Sequence, residues 1–375
     1  MQYFRWEELL TLRGISTVLL ATVVAVIIFL VIQANVPTYS GKPIDHPELD
    51  PSKPIASDVV SLRIYPIKSC RGLEVPEIWM RKTGLDLDRQ WMFVDAETKE
   101  FLTIRSDPTM TLIDTGLTSS KPTTKRWTDL HISIHDTDVH VQIPCYPTKD
   151  WLEANTKLIE VGIWGSKTDA YAYSDDINDK FSQYFKKPVQ LVFKGPSPRN
   201  AGGNADPELY GKAAPHHFAD LMSCQVASEA SLEDLNEHLK KKGQDELTIE
   251  RFRPNIVIKG NEPWEEDSWK RVRISTVDHG AQALWRMELD VLARCARCQV
   301  PNVNPDTAEK HLHEPWDTLM NFRRVDTGGV AKYKPCFGML CVPIKEGILK
   351  VGSSVLDVLE TTDKHLYNTA KFDEL

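Results

Sequence analysis

Hydrophobic and polar positions alternate in short bursts along most of the chain. Val60, Leu62 and Ile64 alternate with Ser61 and Arg63, the two-residue period of a strand with one buried face. Trp91 to Asp95 and Phe101 to Arg105, separated by the polar Glu97 to Lys99, predict a hairpin. Leu130 to Ile134 and Val139 to Ile143 predict a second, around His135–Asp138. Ile177, Phe181 and Phe185 recur at helical spacing between Asp176 and Lys187, and Pro188 stops the run. A strand is expected over Val189 to Phe193. Pro196 to Pro215 is rich in Pro, Gly and Asn and reads as a boundary or loop. Beyond it, Ser231-Leu-Glu-Asp234 opens a helix with a capping-box-like pattern, its apolar face formed by Leu232, Leu235 and Leu239. Strands are expected at Ile256 to Ile258, Val272 to Ser275, Leu284 to Leu289, Gly338 to Pro343 and Ile348 to Val358. A short helix is expected at Trp316 to Phe322, and Trp264 to Trp269 reads as an acidic loop. Many short strands and few helices favour a partly open β-barrel for the second half.

The N-terminal pattern is different. Gly14 to Ser40 carries no charge, and Ile15 to Ile32 is apolar apart from Ser16, Thr17 and Thr22. That run is long enough to span about 30 Å of hydrocarbon. Residues 14–33 are therefore read as a single transmembrane anchor, with a cleaved signal peptide as the rival. Five prolines between Val36 and Ser57 make residues 34–57 a semi-rigid linker. The folded body divides at the Pro/Gly-rich stretch into 58–195 and 200–360, with 361–375 left as a tail. Arg5 and Arg13 ahead of the span lean toward a cytosolic N-terminus, and the closing Phe372-Asp-Glu-Leu375 resembles an endoplasmic-reticulum retrieval signal.

Composition narrows the function. A formal charge of −8 lacks the basic footprint of a nucleic-acid binder, so an anionic ligand requires a local basic cluster. Seven cysteines are an odd set, more in keeping with a reducing compartment than with a disulfide scaffold. The chemistry concentrates at Cys295-Ala-Arg-Cys298. Cys298 has three readings: an inert buried thiol, one ligand of a zinc site shared with Cys295, Cys336 and Cys341, or a single thiolate to a softer metal. Arg297 beside it would favour the thiolate. Donor residues stand at strand mouths: Lys68 with Ser69, Arg89, Arg253 with Asn255, and Arg297. Together they suit an organic phosphate. Neither a G-x-G-x-x-G nor a Walker loop occurs, which argues against a Rossmann or P-loop cofactor. Arg105 and the pair His216-His217 read as surface residues.

Tyr65-Pro-Ile-Lys-Ser-Cys70, Asp88-Arg-Gln-Trp91, Ser228-Glu-Ala-Ser-Leu232, Arg253-Pro-Asn255 and Cys295-Ala-Arg-Cys298 with Asn304-Pro-Asp-Thr307 follow one another in an order that resembles the MOSC family of molybdenum-cofactor proteins, notably its amidoxime-reducing members. The likeness covers about residues 58 to 358. It implies a β-rich α+β fold, in which an N-terminal MOSC-N β-barrel-type region precedes a MOSC β-barrel with flanking helices, behind the single anchor. It further implies that Cys298 is the catalytic thiolate ligand of molybdenum and that Lys68, Ser69, Arg89, Arg253, Asn255, Ala296 and Arg297 hold the molybdenum cofactor. The implied reaction is reduction of N-hydroxylated compounds with electrons from cytochrome b5 and its NADH-dependent reductase. The implied location is the mitochondrial outer membrane facing the cytosol, with the endoplasmic reticulum as alternative. Two departures stand out. Leu221-Met222 falls where the family has a Thr-Ser cofactor contact, with only Ser223 close by, and Pro301-Asn-Val-Asn-Pro305 changes the wall after Cys298. Rival functions are a cofactor- or sulfur-carrying module like the C-terminal part of the molybdenum cofactor sulfurases, whose pyridoxal-phosphate domain the chain is too short to include, and a zinc-stabilised membrane interaction protein.

Overall fold

Strand Ala56–Ile64 is the stave that closes the fold. It pairs with Ser354–Thr361 on one side and with Ile256–Ile258 on the other. The ring continues from Ile256–Ile258 through Cys224–Ser228, Cys336–Lys345, Ala283–Ala296 and Trp269–Asp278 back to Ser354–Thr361, giving a closed seven-stranded barrel. All pairings are antiparallel except Cys224–Ser228 with Ile256–Ile258. Helix Glu229–Lys241 makes the crossover that this parallel pair needs. The barrel otherwise uses residues from Cys224 onward, so the first strand ties the N-terminal half to the C-terminal half. The computed structural model describes residues 56–119, 127–278, 283–369 and 371–375. The expected anchor (14–33) and all of the linker but its last two residues lie outside them. Among the described residues, no helix is long and apolar enough to cross a membrane.

The N-terminal half is built on an antiparallel sheet of Trp91–Asp95, Val189–Lys194, Ser166–Tyr173 and Thr156–Ile163. Helix Asp175–Phe185 packs on it, with Phe181 and Phe185 ringing Phe93 at 4.8 and 5.5 Å. A second sheet joins Ile113–Thr118, Asp129–Ile134 and His140–Pro144. Fully buried side chains from the two halves, among them Leu62, Trp91, Phe93, Ile258 and Trp269, belong to one continuous apolar core.

Several expectations shift. Phe101 makes only an isolated bridge to Val94, and the chain then loops to Ser106, which carries Arg105 away from the sheet. Strands Thr156–Ile163 and Ser166–Tyr173 were not anticipated; Lys157, Glu160, Lys167 and Asp169 interrupt their apolar alternation. The helix expected from Ser231 starts at Glu229, capped by Ser228 Oγ. Ser231 Oγ instead donates to the Glu266 carboxylate. The acidic loop expected at 264–269 forms a short 3-10 turn, Glu265–Ser268, in which Glu266 and Asp267 are buried and Arg323 and Arg294 face Asp267. Such burial of acids is possible because two guanidinium groups compensate Asp267. The stretch 348–358 is two strands, Gly347–Lys350 and Ser354–Thr361, broken by a turn with Gly352 at φ 72.

Candidate functional site

The mouth of the barrel and the N-terminal half together line a cleft of about 440 Å³. Lys68, Ser69, Arg89, Arg253, Asn255, Ala296, Arg297 and Cys298 all reach it, although 230 positions separate the first from the last. Each arrives at a strand end. Lys68 and Ser69 follow Ala56–Ile64, and Lys68 N donates to Trp91 O at 2.8 Å. Arg253 and Asn255 precede Ile256–Ile258, while Ala296 ends Ala283–Ala296 with Arg297 and Cys298 just beyond. Ser69 (φ 70), Arg89 (φ 47) and Arg253 (φ 55) lie in the left-handed backbone region. That region costs a non-glycine residue about 1–2 kcal/mol, and its recurrence here follows the tendency of strained backbone to gather at functional sites.

Charge in the cleft is one-sided. Lys68, Arg89, Arg105, Arg253, Arg297 and Lys334 face a single carboxylate among the described lining residues, Asp220. Burial pulls the Lys68 ammonium down to about 8, although Asp220 works the other way. Lys68 Nζ pairs with Asp220 and donates to Phe218 O at 2.9 Å. Arg89 and Arg253 both stack on the Tyr65 ring, at 4.5 and 4.1 Å. Arg89 also donates to Asp88 Oδ2 at 2.5 Å and Asn255 Oδ1 at 3.1 Å. No hydrogen bond or ion pair joins the Arg253 guanidinium to a described residue, and burial, with Arg89 beside it, lowers its pKa. An enclosed cation without a counter-charge fits an anionic ligand that the protein does not itself supply.

The structure redistributes roles among these residues. Asn255 spends its amide inside the protein, accepting from Arg89 and from Gln225 N and donating to Arg63 O, so it positions Arg89. Arg297 turns away from the sulfur next to it in sequence. Its guanidinium donates to Cys295 Sγ (2.9 Å), Gln225 Oε1 (3.1 Å) and Phe252 O (2.7 Å). Burial raises the Cys295 thiol, and Arg297 partly offsets this. The cation at Cys298 is Arg105. Burial opposes its charge, but Cys298 and Asp220 outweigh burial and raise its pKa. Arg105 is exposed, as a surface charge would be, but its guanidinium lines the cleft and pairs with Asp220 at 3.4 Å.

Sequence reasoning also missed Asp220 and Trp164. Asp220 accepts from Trp164 Nε1 at 2.9 Å and pairs with Arg105 at 3.4 Å. Partial desolvation opposes ionisation of Asp220, whose side chain is still 45% exposed, but Lys68 and Arg105 hold its carboxyl well below the usual range. No local motif marks these residues. The tail also returns to the site, where Tyr367 lines the cleft and Phe372 is buried against Tyr210. Leu221 and Met222 form an apolar patch of the wall. Ser223 is absent from the lining, and its buried Oγ has no partner among the described residues. His216 is buried, with Nε2 2.7 Å from Arg199, and is not a surface residue. The zinc reading finds no geometry: Cys336 and Cys341 are buried within a barrel strand, and no three His, Cys, Asp or Glu among the described residues converge.

The chain matches two family models, the MOSC N-terminal beta barrel domain over residues 56–188 and the MOSC domain over 213–356. It is 30% identical over 309 residues to mitochondrial amidoxime-reducing component 1 of Mus musculus, covering 79% of this chain and 81% of that protein. To the Homo sapiens protein of the same name it is 30% identical over 310 residues, covering 79% and 82%. It is 28% identical over 298 residues to the molybdenum cofactor sulfurase of Solanum lycopersicum, covering 75% of this chain but 33% of the sulfurase.

Proposed function

The chain belongs to the MOSC-domain family that includes the mitochondrial amidoxime-reducing components, and from that membership we propose that it is a molybdenum-cofactor-dependent reductase of N-hydroxylated compounds. The observation that carries the reading is the convergence of the half-exposed thiol Cys298, with its neighbour Cys295 held by Arg297, six cations and a single described carboxylate in one cleft. That donor set fits an anionic pterin phosphate together with a metal that accepts a thiolate. When bound, the cofactor would supply the two-electron redox chemistry.

This chain's residues would do the rest. Arg253 and Arg89, held on Tyr65, and Lys68 would take the phosphate-bearing part. Arg297, anchored to Gln225 and Phe252, would brace the Cys295–Cys298 turn from behind. Cys298 Sγ would be the metal ligand, with Arg105 placed to neutralise its thiolate. In the reaction the substrate N–O bond breaks, two electrons and two protons enter, and the products are the N–H compound and water. Electrons would then come from a partner protein. Cytochrome b5 and its NADH-dependent reductase are proposed for that role, and residues 14–33 are proposed to fix the protein in the mitochondrial outer membrane with the body facing the cytosol. Similarity to the sulfurase supports a second reading, a module that carries the cofactor or its sulfur without turnover.

The experiment is metal and pterin analysis of the full chain expressed where the cofactor is made, with N-reductive turnover of an amidoxime. Molybdenum near one per chain and activity lost in Cys298→Ser are expected. Absence of molybdenum, or full activity in Cys298→Ser, removes the reductase reading. Cofactor retained without turnover, given an electron-delivering partner, selects the carrier.

A further inference from the structure

The hairpin joining Thr156–Ile163 to Ser166–Tyr173 turns through only two residues, Trp164 and Gly165, since Ile163 and Ser166 are paired. Both have positive φ, 51 and 76. Two-residue turns of this kind favour Asn-Gly or Asp-Gly, because asparagine and aspartate tolerate the left-handed region. A tryptophan there is strained, and it is also 46% exposed at the edge of the cleft. Neither hairpin formation nor burial accounts for that choice.

The indole is nevertheless fixed. Phe101 meets it edge-on at 4.7 Å between centroids, Nε1 donates to Asp220 at 2.9 Å, and the Arg105 guanidinium lies 4.5 Å from the ring centroid. Arg105 and Asp220 are the residues that link the indole to Cys298 and Lys68. The N-terminal half thus places a rigid aromatic surface, with exposed area to spare, one side chain away from the candidate metal ligand. Ile104 and Val300 add apolar lining to the same cleft.

We propose that Trp164, held by Phe101, Asp220 and Arg105, is a specificity-determining subsite that takes a planar aromatic group of the substrate by stacking. A ring on the indole would lie next to Arg105, and so beside Cys298, where the N–O group reacts. Aromatic pairs gain stability beyond area burial, and an indole offers the largest face. The subsite rests on the reductase reading only for the identity of the reacting group.

The test compares benzamidoxime with acetamidoxime, which share the reacting group and differ in the ring. Binding to the cofactor-loaded full chain is followed by quenching of protein fluorescence, and kcat/KM is measured in parallel. Wild type should bind benzamidoxime at least tenfold more tightly than acetamidoxime. Trp164→Asn, which gives the turn a residue it favours and so keeps the hairpin, should reduce the ratio to about twofold or less. Trp164→Phe should restore most of it. An unchanged ratio in Trp164→Asn overturns the subsite. So does an equal fall for both compounds, which is what a partner-docking or purely structural role would give. If both compounds bind with the expected ratio but neither turns over, the reductase reading fails and the subsite stands.

Discussion

Lys68 offers the most quantitative handle on the cleft. Its ammonium is almost wholly buried, and burial lowers its pKa from 10.5 to about 8 despite Asp220. A base depressed in the folded state makes that state bind fewer protons than the unfolded chain between those two values. Stability therefore rises with pH across that window. Below about pH 8 both states carry the charge, and the native state bears the whole cost of enclosing it. Above 10.5 neither does, and the cost is gone. The gap corresponds to roughly 3 kcal/mol. Lys68→Met removes the titrating group while retaining apolar length over the Phe101 ring, 5.3 Å from the ammonium in wild type. The assay is urea unfolding of both proteins from pH 7 to 10.5, read as the difference between them, which cancels the tyrosines and cysteines titrating in the same range. The stability of the variant relative to wild type should fall by roughly 3 kcal/mol across that range. A difference that stays flat refutes the idea that burial depresses the Lys68 ammonium despite its pairing with Asp220. A second consequence follows at constant protein: pyrophosphate binding to wild type should weaken as pH passes 8, because the anion favours the protonated lysine.

Glu266 makes the mirror case. Fully buried against Ser231, it is pushed up from 4.5 to about 7 by burial, then by Asp267. The folded chain then holds the proton longer, so stability falls as pH rises from 4.5 to 7; Glu266→Gln should be more stable than wild type at pH 7 by up to roughly 3 kcal/mol, and the gap should close near pH 4.5 in thermal melts. Asp267 lies 2.7 Å from Arg323 and 3.5 Å from Arg294, all three buried. Asp267→Ala should cost about 3–5 kcal/mol in urea unfolding by leaving two enclosed guanidinium groups, and a loss below 1 kcal/mol would contradict that pairing. Leu221→Thr with Met222→Ser adds two hydroxyls to the cleft wall; if one reaches the phosphate, about 1.5 kcal/mol of charge-assisted hydrogen bonding should slow cofactor loss about tenfold, measured as molybdenum per chain during dialysis.

Much of the frame is legible in the sequence because local periodicity reports it. The alternation at Val60 to Ile64, the helical spacing of Ile177, Phe181 and Phe185, and the apolar run at Ile256 to Ile258 each specify an element from its own residues. The candidate donors were equally legible, since Lys68, Arg89, Arg253 and Cys298 sit in short motifs at strand ends. What the sequence could not report is which side chain faces which. Arg297 adjoins Cys298 along the chain, yet the strand's end turns it toward Cys295, while Arg105 arrives from a loop 193 positions earlier to meet Cys298. Nothing in the acidic run at 265–267 shows that it is buried, with two arginines from distant segments, Arg294 and Arg323, facing Asp267. Trp164 stands in no motif, because strain and stacking exist only once the hairpin is folded. Backbone periodicity is a property of neighbours, so the sequence alone determined the strands whose apolar alternation is uninterrupted, the principal helices and the donor types, but not Thr156–Ile163 or Ser166–Tyr173. Charge pairing, burial and backbone strain are properties of contacts between distant segments, so only the closure of Ala56–Ile64 into the barrel decided how those donors become one cleft.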